Sequence, residues 1–395
     1  MPSARPDPGV PLPALRRDAA AGGVPDATSV AAAVHSRAGL RGSRGLVGLA
    51  ADLTAEIVGA GPLEPLLRLE GVTDVLVNGP GPAWIDRGRG LERTEVVLPD
   101  EGTVRRLAQR VVGACGRRLD DATPWADARL PDGTRVHAVL PPLSPQGTCL
   151  SLRVPPRRTF TLAELVHAGT LSAAGADLLA RIVRSGAAFV LTGGTGSGKT
   201  TVLSSLLSLV PDDERIVIVE DASELRPSHP HVVRLESRLP NAEGAGAVDM
   251  STLVRQALRM RPDRLVVGEV RGAEVVELLA ALNTGHRGGC GTVHANRPRD
   301  LPARLEALCA LAGLPRDAAH SQVAAALDVV VHMTRGADGR RVVAGVGVVV
   351  GDAGLVRVEP AVRFGTTGVE PGPAHDRLAD FLAVGPSAAA RGADE

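Results

Sequence analysis

The sequence predicts an α/β protein, with a mostly parallel sheet covered by helices in its second half and a smaller α+β domain before it. Three observations predict this. From about residue 160, apolar strand-like runs alternate with helical segments, and such alternation builds parallel sheets through crossover connections. One apolar run leads directly into a glycine-rich loop and a following helical segment, GGTGSGKT at 193–200. Upstream, between about 44 and 156, short strands separated by Gly/Pro turns mix with helical stretches instead.

Taken in order, residues 1–43 are rich in Pro, Ala, Gly and Arg without a steady period and read as a flexible leader. In the 44–156 domain, LVGLAADLTAEIVG (46–59) has apolar residues at helical spacing, and GVTDVLVNGPGPAWIDRGRGLERTEVVL (71–98) reads as short strands. VRRLAQRVVGACGRRL (104–119) returns to helical period and DGTRVHAVLPP (132–142) to strand. In the 157–365 domain, AAFVLTGG, RIVIVED and RLVVGEV are strands, while TTVLSSLLSLV, STLVRQALRM and AEVVELLAALN are helices. A closing hairpin is expected near 341–358. Residues 366–395 read as a flexible tail with one short helix around 374–384.

Composition limits the function. Apolar residues make up 44% of the chain, enough for real cores, and 44 basic side chains balance 44 acidic ones. Neutral charge and 2% aromatic content, with no tyrosine, argue against direct nucleic-acid binding. Cys115, Cys149, Cys290 and Cys309 form no CxxC pair, so neither a metal cluster nor a disulfide framework is expected. The N-terminus lacks an apolar signal-peptide core, and no run reaches the ~18 apolar residues of a membrane span. A soluble, cytoplasmic protein follows.

The chemistry is concentrated in three places. Gly193, Gly198, Lys199 and Thr200 match G-x-x-x-x-G-K-[ST], a loop whose inward N–H groups cradle phosphate oxygens. Gly193, Gly194, Thr195, Gly196, Ser197, Gly198, Lys199, Thr200 and Thr201 are therefore the expected ATP-binding set. Lys199 would reach the β/γ-phosphates, and Thr200 would bind Mg²⁺. Glu220 and Asp221, followed by Glu224, lie at the end of one apolar run, and Glu269 at the mouth of another. Acids at the carboxyl ends of parallel strands sit where ligands bind. The segment NTGHRGGCGTVHAN carries His286 and His294, read either as a γ-phosphate sensor or as structural histidines in a glycine-rich turn.

The ordered set GGTGSGKTT, IVEDASEL, LRMRPDRLVVGEVRGAE and NTGHRGGCGTVHAN resembles the type II/type IV secretion-system ATPases. GPLEPLL, VTDVLVNGP, GRRLDDATPWADARLPDGTRVHAVLPP and LRVPP resemble the N-terminal domain of the tight-adherence (Flp) pilus branch, the TadA/CpaF type. The similarity spans about 46–364. It implies a RecA-like P-loop NTPase core, with Glu224 as general base or water-positioning residue and Glu269 acting on Mg²⁺ through water. It also implies His294 as nucleotide sensor and Arg135 and Arg153 as phosphate-contacting arginines. Arg255, Arg259, Arg261 and Arg271 are further interface candidates. The resemblance further implies a homo-hexameric ring at the cytoplasmic face of the membrane, working with a polytopic inner-membrane platform protein to drive pilus assembly or secretion. A conjugation-associated, DNA-transfer motor is the alternative, and an ATP-responsive scaffold a third reading.

Overall fold

The structure, a computed structural model, describes residues 59–384 except 89, 156–157, 239, 241–243, 337–338, 353 and 366–367. The expected leader and all but the last residue of the 46–59 helix lie outside the described residues. The chain divides into two compact units, Met1–Pro156 and Arg157–Glu395.

In the first unit, a short helix α1 (Glu64–Leu67) precedes the strands β1 (Asp74–Asn78), β2 (Gly81–Asp86) and β3 (Leu91–Leu98). Helix α2 (Glu101–Ala114) and strands β4 (Trp125–Arg129), β5 (Arg135–Val139) and β6 (Cys149–Arg153) follow. The strands form one antiparallel sheet in the order β3-β2-β1-β6-β5-β4. Asp100 caps α2, its carboxylate accepting the Thr103 N–H at 2.8 Å. Val104, Leu107, Ala108, Val111 and Val112 recur at helical spacing and bury one face of α2 in the same core as Val75, Val77, Leu150 and Leu152. The helix stops five residues short of the expected 119, because Gly116 adopts a left-handed conformation just past its end.

The second unit holds a nine-stranded sheet. Its elements are α3 (Leu162–His167), α4 (Ala173–Ser185), β7 (Phe189–Thr192), α5 (Lys199–Leu207), β8 (Ile216–Glu220) and β9 (Val232–Glu236). Next come α6 (Met250–Ala257), β10 (Arg264–Val270), α7 (Glu274–Asn283), β11 (Cys290–Val293), α8 (Leu301–Leu311) and α9 (Arg316–Ala326). The chain closes with β12 (Val329–Arg335), β13 (Arg341–Asp352), β14 (Leu355–Gly365), β15 (Gly368–Pro371) and α10 (His375–Val384). The order is β15-β14-β13-β12-β7-β11-β10-β8-β9, parallel from β12 to β9 and antiparallel beyond β12. Alternate residues of the parallel strands enter two separate cores, one on each sheet face. Continuous apolar runs such as IVIV are what a sheet buried on both faces requires.

One expectation changes. The tail expected from 366 contains β15, paired to β14, and α10, whose Leu378 is buried beside Ala374 in the core. The Gly/Pro-rich composition before α10 hid the apolar stripe of Leu378, Phe381 and Leu382 that docks it. The hairpin expected near 341–358 is present as β13 and β14, and it joins the sheet through β12.

Candidate nucleotide site

Strand β7 lies between β11 and β12, so its carboxyl end opens at the centre of the parallel sheet. There Gly193, Gly196 and Gly198 all take positive φ, turning the chain back on itself before α5. Gly193 is also a close approach: a Cβ there would lie 2.5 Å from the Met333 carbonyl oxygen of β12. Gly194 and Gly196 face open space. Lys199 is buried, its Nζ donating to the carbonyl oxygens of Gly193 at 2.9 Å and Gly194 at 3.0 Å. Burial pulls its pKa down, while the nearby Glu269 carboxylate works in the opposite direction. Ser197 Oγ is buried without a hydrogen-bond partner among the described residues. A curled loop with an unmet hydroxyl, a buried ammonium and Thr200 and Thr201 in the first turn of α5 fits a triphosphate and its divalent cation.

Glu269 reaches this mouth through a break in the ladder. Val267 pairs with Gly291 but Val270 pairs with Val293, so Gly268 and Glu269 together oppose Thr292. A bulge of this kind re-aims a side chain. The Thr292 hydroxyl donates to the Gly268 carbonyl at 2.7 Å and so meets the backbone group the slip leaves over. Because β11 lies between β7 and β10, His294 just beyond its end falls beside Glu269, with Nε2 2.5 Å from Oε1. That contact lies off the donor axis, and Oε1 accepts no well-directed hydrogen bond. The Arg271 guanidinium donates to the other oxygen, Oε2. Burial pushes the Glu269 carboxyl up, but Arg271, His294 and Lys199 outweigh it and hold it below the usual carboxylate range. Burial and the Lys199 charge lower the His294 pKa despite Glu269, which favours a neutral ring near pH 7.

The acidic loop after β8 is held from inside. Glu220 is buried, and its Oε1 accepts the backbone N–H groups of Glu224 and Leu225, each at 3.0 Å. Arg226 N–H donates to Ser204 Oγ and Ser228 N–H to Ser208 Oγ, which moors the loop along α5. Asp221 and Glu224 both favour the charged form of Arg271, which places these acids within electrostatic range of the guanidinium on Glu269. Desolvation raises the Glu220 pKa from 4.5 to about 7, with Glu224 adding to the rise and the two N–H donors and Arg234 opposing it. The folded protein therefore holds a proton there that the unfolded chain has released. Stability drops as pH rises through that window, and the loss, on the order of 3 kcal/mol, is complete above it. Glu220→Gln is expected to raise the melting temperature at pH 8 and to raise it far less at pH 5. An equal gain at both values would contradict this origin.

The remaining candidates are placed as follows. Arg135 and Arg153 oppose each other across β5 and β6 in the first unit, and Arg129 of β4 opposes Arg135, making one row of three arginines. Sequence reading missed Arg129; the signal was the alternation in DARLPDGTRVHAV, which puts 129 and 135 in register once a hairpin is assumed. His286 is separated from His294: its backbone N–H and Nδ1 both lie 3.3 Å from the Ala281 carbonyl oxygen, at the end of α7. Arg255 pairs with Glu277 at 2.7 Å, while Arg259 and Arg261 are exposed. Only Arg271 of that group is bonded to Glu269. Glu274 holds Arg271 in place by accepting the N–H groups of Arg271 at 2.6 Å and Gly272 at 2.8 Å. Among the described residues no group of three or more His, Cys, Asp or Glu could hold a metal ion by itself.

A family model described as "Type II/IV secretion system protein" matches residues 56–348. The chain belongs to that family. A protein of Mycobacterium tuberculosis named "Putative conjugal transfer protein" is 59% identical over 295 residues, covering 73% of this chain and 84% of that one. The type IV secretion system protein PtlH of Bordetella pertussis is 33% identical over 301 residues, covering 69% of this chain and 88% of its own. In fold, the chain is similar to the ATPase DotB of Legionella pneumophila, with a TM-score of 0.51 at 20% identity, covering 73% of this chain and 79% of that one. The second unit is thus the expected RecA-like P-loop core of mostly parallel strands, preceded by a smaller α+β domain. Among the described residues, no helix is long and apolar enough to cross a membrane.

Proposed function

We propose that this type II/IV secretion-system protein is an ATP-hydrolysing motor. The observation that carries the reading is the convergence of buried Lys199, Glu269 and His294 at the carboxyl ends of β7, β10 and β11. In the proposed reaction, water attacks the γ-phosphorus in line, ADP leaves, and the attacking water loses its proton to Glu224. Lys199 and the loop N–H groups hold the phosphates, and His294, neutral and in contact with Glu269, reports on the γ-phosphate. Thr200 and Glu269 would hold Mg²⁺, which when bound neutralises charge on the β- and γ-oxygens. The test is phosphate release from ATP by the purified chain with Mg²⁺. No release above background, with ATP bound, would favour the nucleotide-responsive scaffold instead.

Arg135 and Arg153 are the residues we assign to stabilising charge on the phosphoryl oxygens, a task suited to planar guanidinium forks. The Arg135→Ala/Arg153→Ala pair is expected to lower kcat by about 10²-fold or more. A double variant with wild-type kcat would remove them from the site.

The work driven is protein export or pilus assembly of the TadA/CpaF kind, performed by a homo-hexamer at the cytoplasmic face of the membrane with a polytopic platform protein. The resemblance of the N-terminal segments supports it. A DNA-transfer motor is the second reading, favoured by the name of the Mycobacterium tuberculosis relative at 59% identity. A gel shift of DNA that weakens with salt at a slope of several phosphate contacts would decide for the latter.

A further inference from the structure

We propose that Glu220 is a positioning residue: laid across Gly268, its side chain fixes the loop bearing Glu224 against the strand bearing Glu269. The inference rests on the hydrolytic reading above and gives Glu220 a role separate from that of Glu224.

Two independent features carry it. The first is hydrogen bonding. At the end of β8 the chain leaves the sheet, and the N–H groups of Glu224 and Leu225 have no strand to pair with. Glu220 Oε1 accepts both, at 3.0 Å each, from a side chain only 4% exposed. Leu225 itself is fully buried, so its N–H has no water to turn to. The second feature is packing. A Cβ at Gly268 would come within 2.5 Å of Glu220 Cγ and 2.9 Å of Oε1. The glycine that precedes Glu269 is therefore the groove through which Glu220 passes. It is also where the ladder slips and where Thr292 bonds the backbone. One side chain thus ties together the loop after β8, the bulge of β10 and, through Thr292, the strand that leads into His294.

The expected behaviour follows from which atoms are used. Glu220→Gln keeps an acceptor oxygen at Oε1, whereas Glu220→Ala removes it. Gly268→Ala pushes against the Glu220 side chain only while that side chain extends beyond Cβ.

The experiment measures steady-state ATP hydrolysis and backbone amide exchange for the full chain carrying Glu220→Gln, Glu220→Ala, Gly268→Ala and the Glu220→Ala/Gly268→Ala pair, each checked by melting. Glu220→Ala should lower kcat at least about tenfold, since small misplacements of reacting groups are costly, while KM for ATP moves less than about threefold. Glu220→Gln should keep at least about a third of kcat. Gly268→Ala alone should lower kcat, and the pair should be no slower than Glu220→Ala alone, because coupled residues do not add. The amides of Glu224 and Leu225 should exchange faster in Glu220→Ala and stay protected in Glu220→Gln. Wild-type kcat in Glu220→Ala, losses that multiply in the pair, or unchanged exchange would each overturn the proposal. If the wild type turns over no ATP, the hydrolytic reading fails, and the exchange of Glu224 and Leu225 still decides whether Glu220 positions the loop.

Discussion

Lys199→Ala is expected to reduce ATP hydrolysis by roughly 10²–10³-fold, as removal of one preorganised charge contact does elsewhere, and to weaken ATP binding as well. The reason lies in how the ammonium is held. Lys199 is 7% exposed and bonded to two carbonyl oxygens of its own loop, so its charge already stands in a water-poor site aimed at the loop's concavity. Interactions in such surroundings are stronger than in water. Alanine removes the charge and leaves the carbonyls of Gly193 and Gly194 without this donor, so Lys199→Arg and Lys199→Met should be tested beside it. Arginine keeps the charge but overfills a buried niche, and methionine keeps the length without the charge. If methionine behaves like wild type, the charge is not what the loop uses.

Glu224→Gln should separate binding from turnover. The carboxylate is half-buried, and its own N–H is tied down by Glu220 rather than by its side chain. The amide should therefore preserve the loop while removing the acceptor for the proton of the attacking water. Loss of a positioned general base costs about 10²–10⁴-fold. Expected is a kcat at least 10²-fold lower with ATP affinity, measured by fluorescent-nucleotide titration, changed only a few-fold. Equal kcat in the two proteins would assign the base elsewhere, with Asp221 the neighbouring acid to try next.

Much of the fold was legible because its signals are local. GGTGSGKT after an apolar strand dictates a turn of positive-φ glycines, and buried-on-both-faces strands such as IVIV carry their own signature. The acids at strand ends were legible for the same reason. What local pattern could not give was pairing. That β11 lies between β7 and β10, and hence that His294 rather than His286 meets Glu269, depends on strand order. The bulge at Gly268 was hinted at by a glycine inside a strand, but its partner Glu220 sits 48 residues earlier, where nothing in IVED distinguishes a buried carboxylate from an exposed one. Arg129 joins Arg135 and Arg153 only through register. At the other end, α10 was readable as a helix, yet its burial against the core was masked by the Gly/Pro-rich approach to it.

The most direct test of the central claim is phosphate release from Mg²⁺-ATP by the purified full chain, run beside Lys199→Ala under identical conditions and with both proteins shown to melt alike. Steady turnover by the wild type, falling by roughly 10²-fold or more in the variant, is the predicted result. Equal rates in the two proteins would contradict the assignment of this loop as the hydrolytic site.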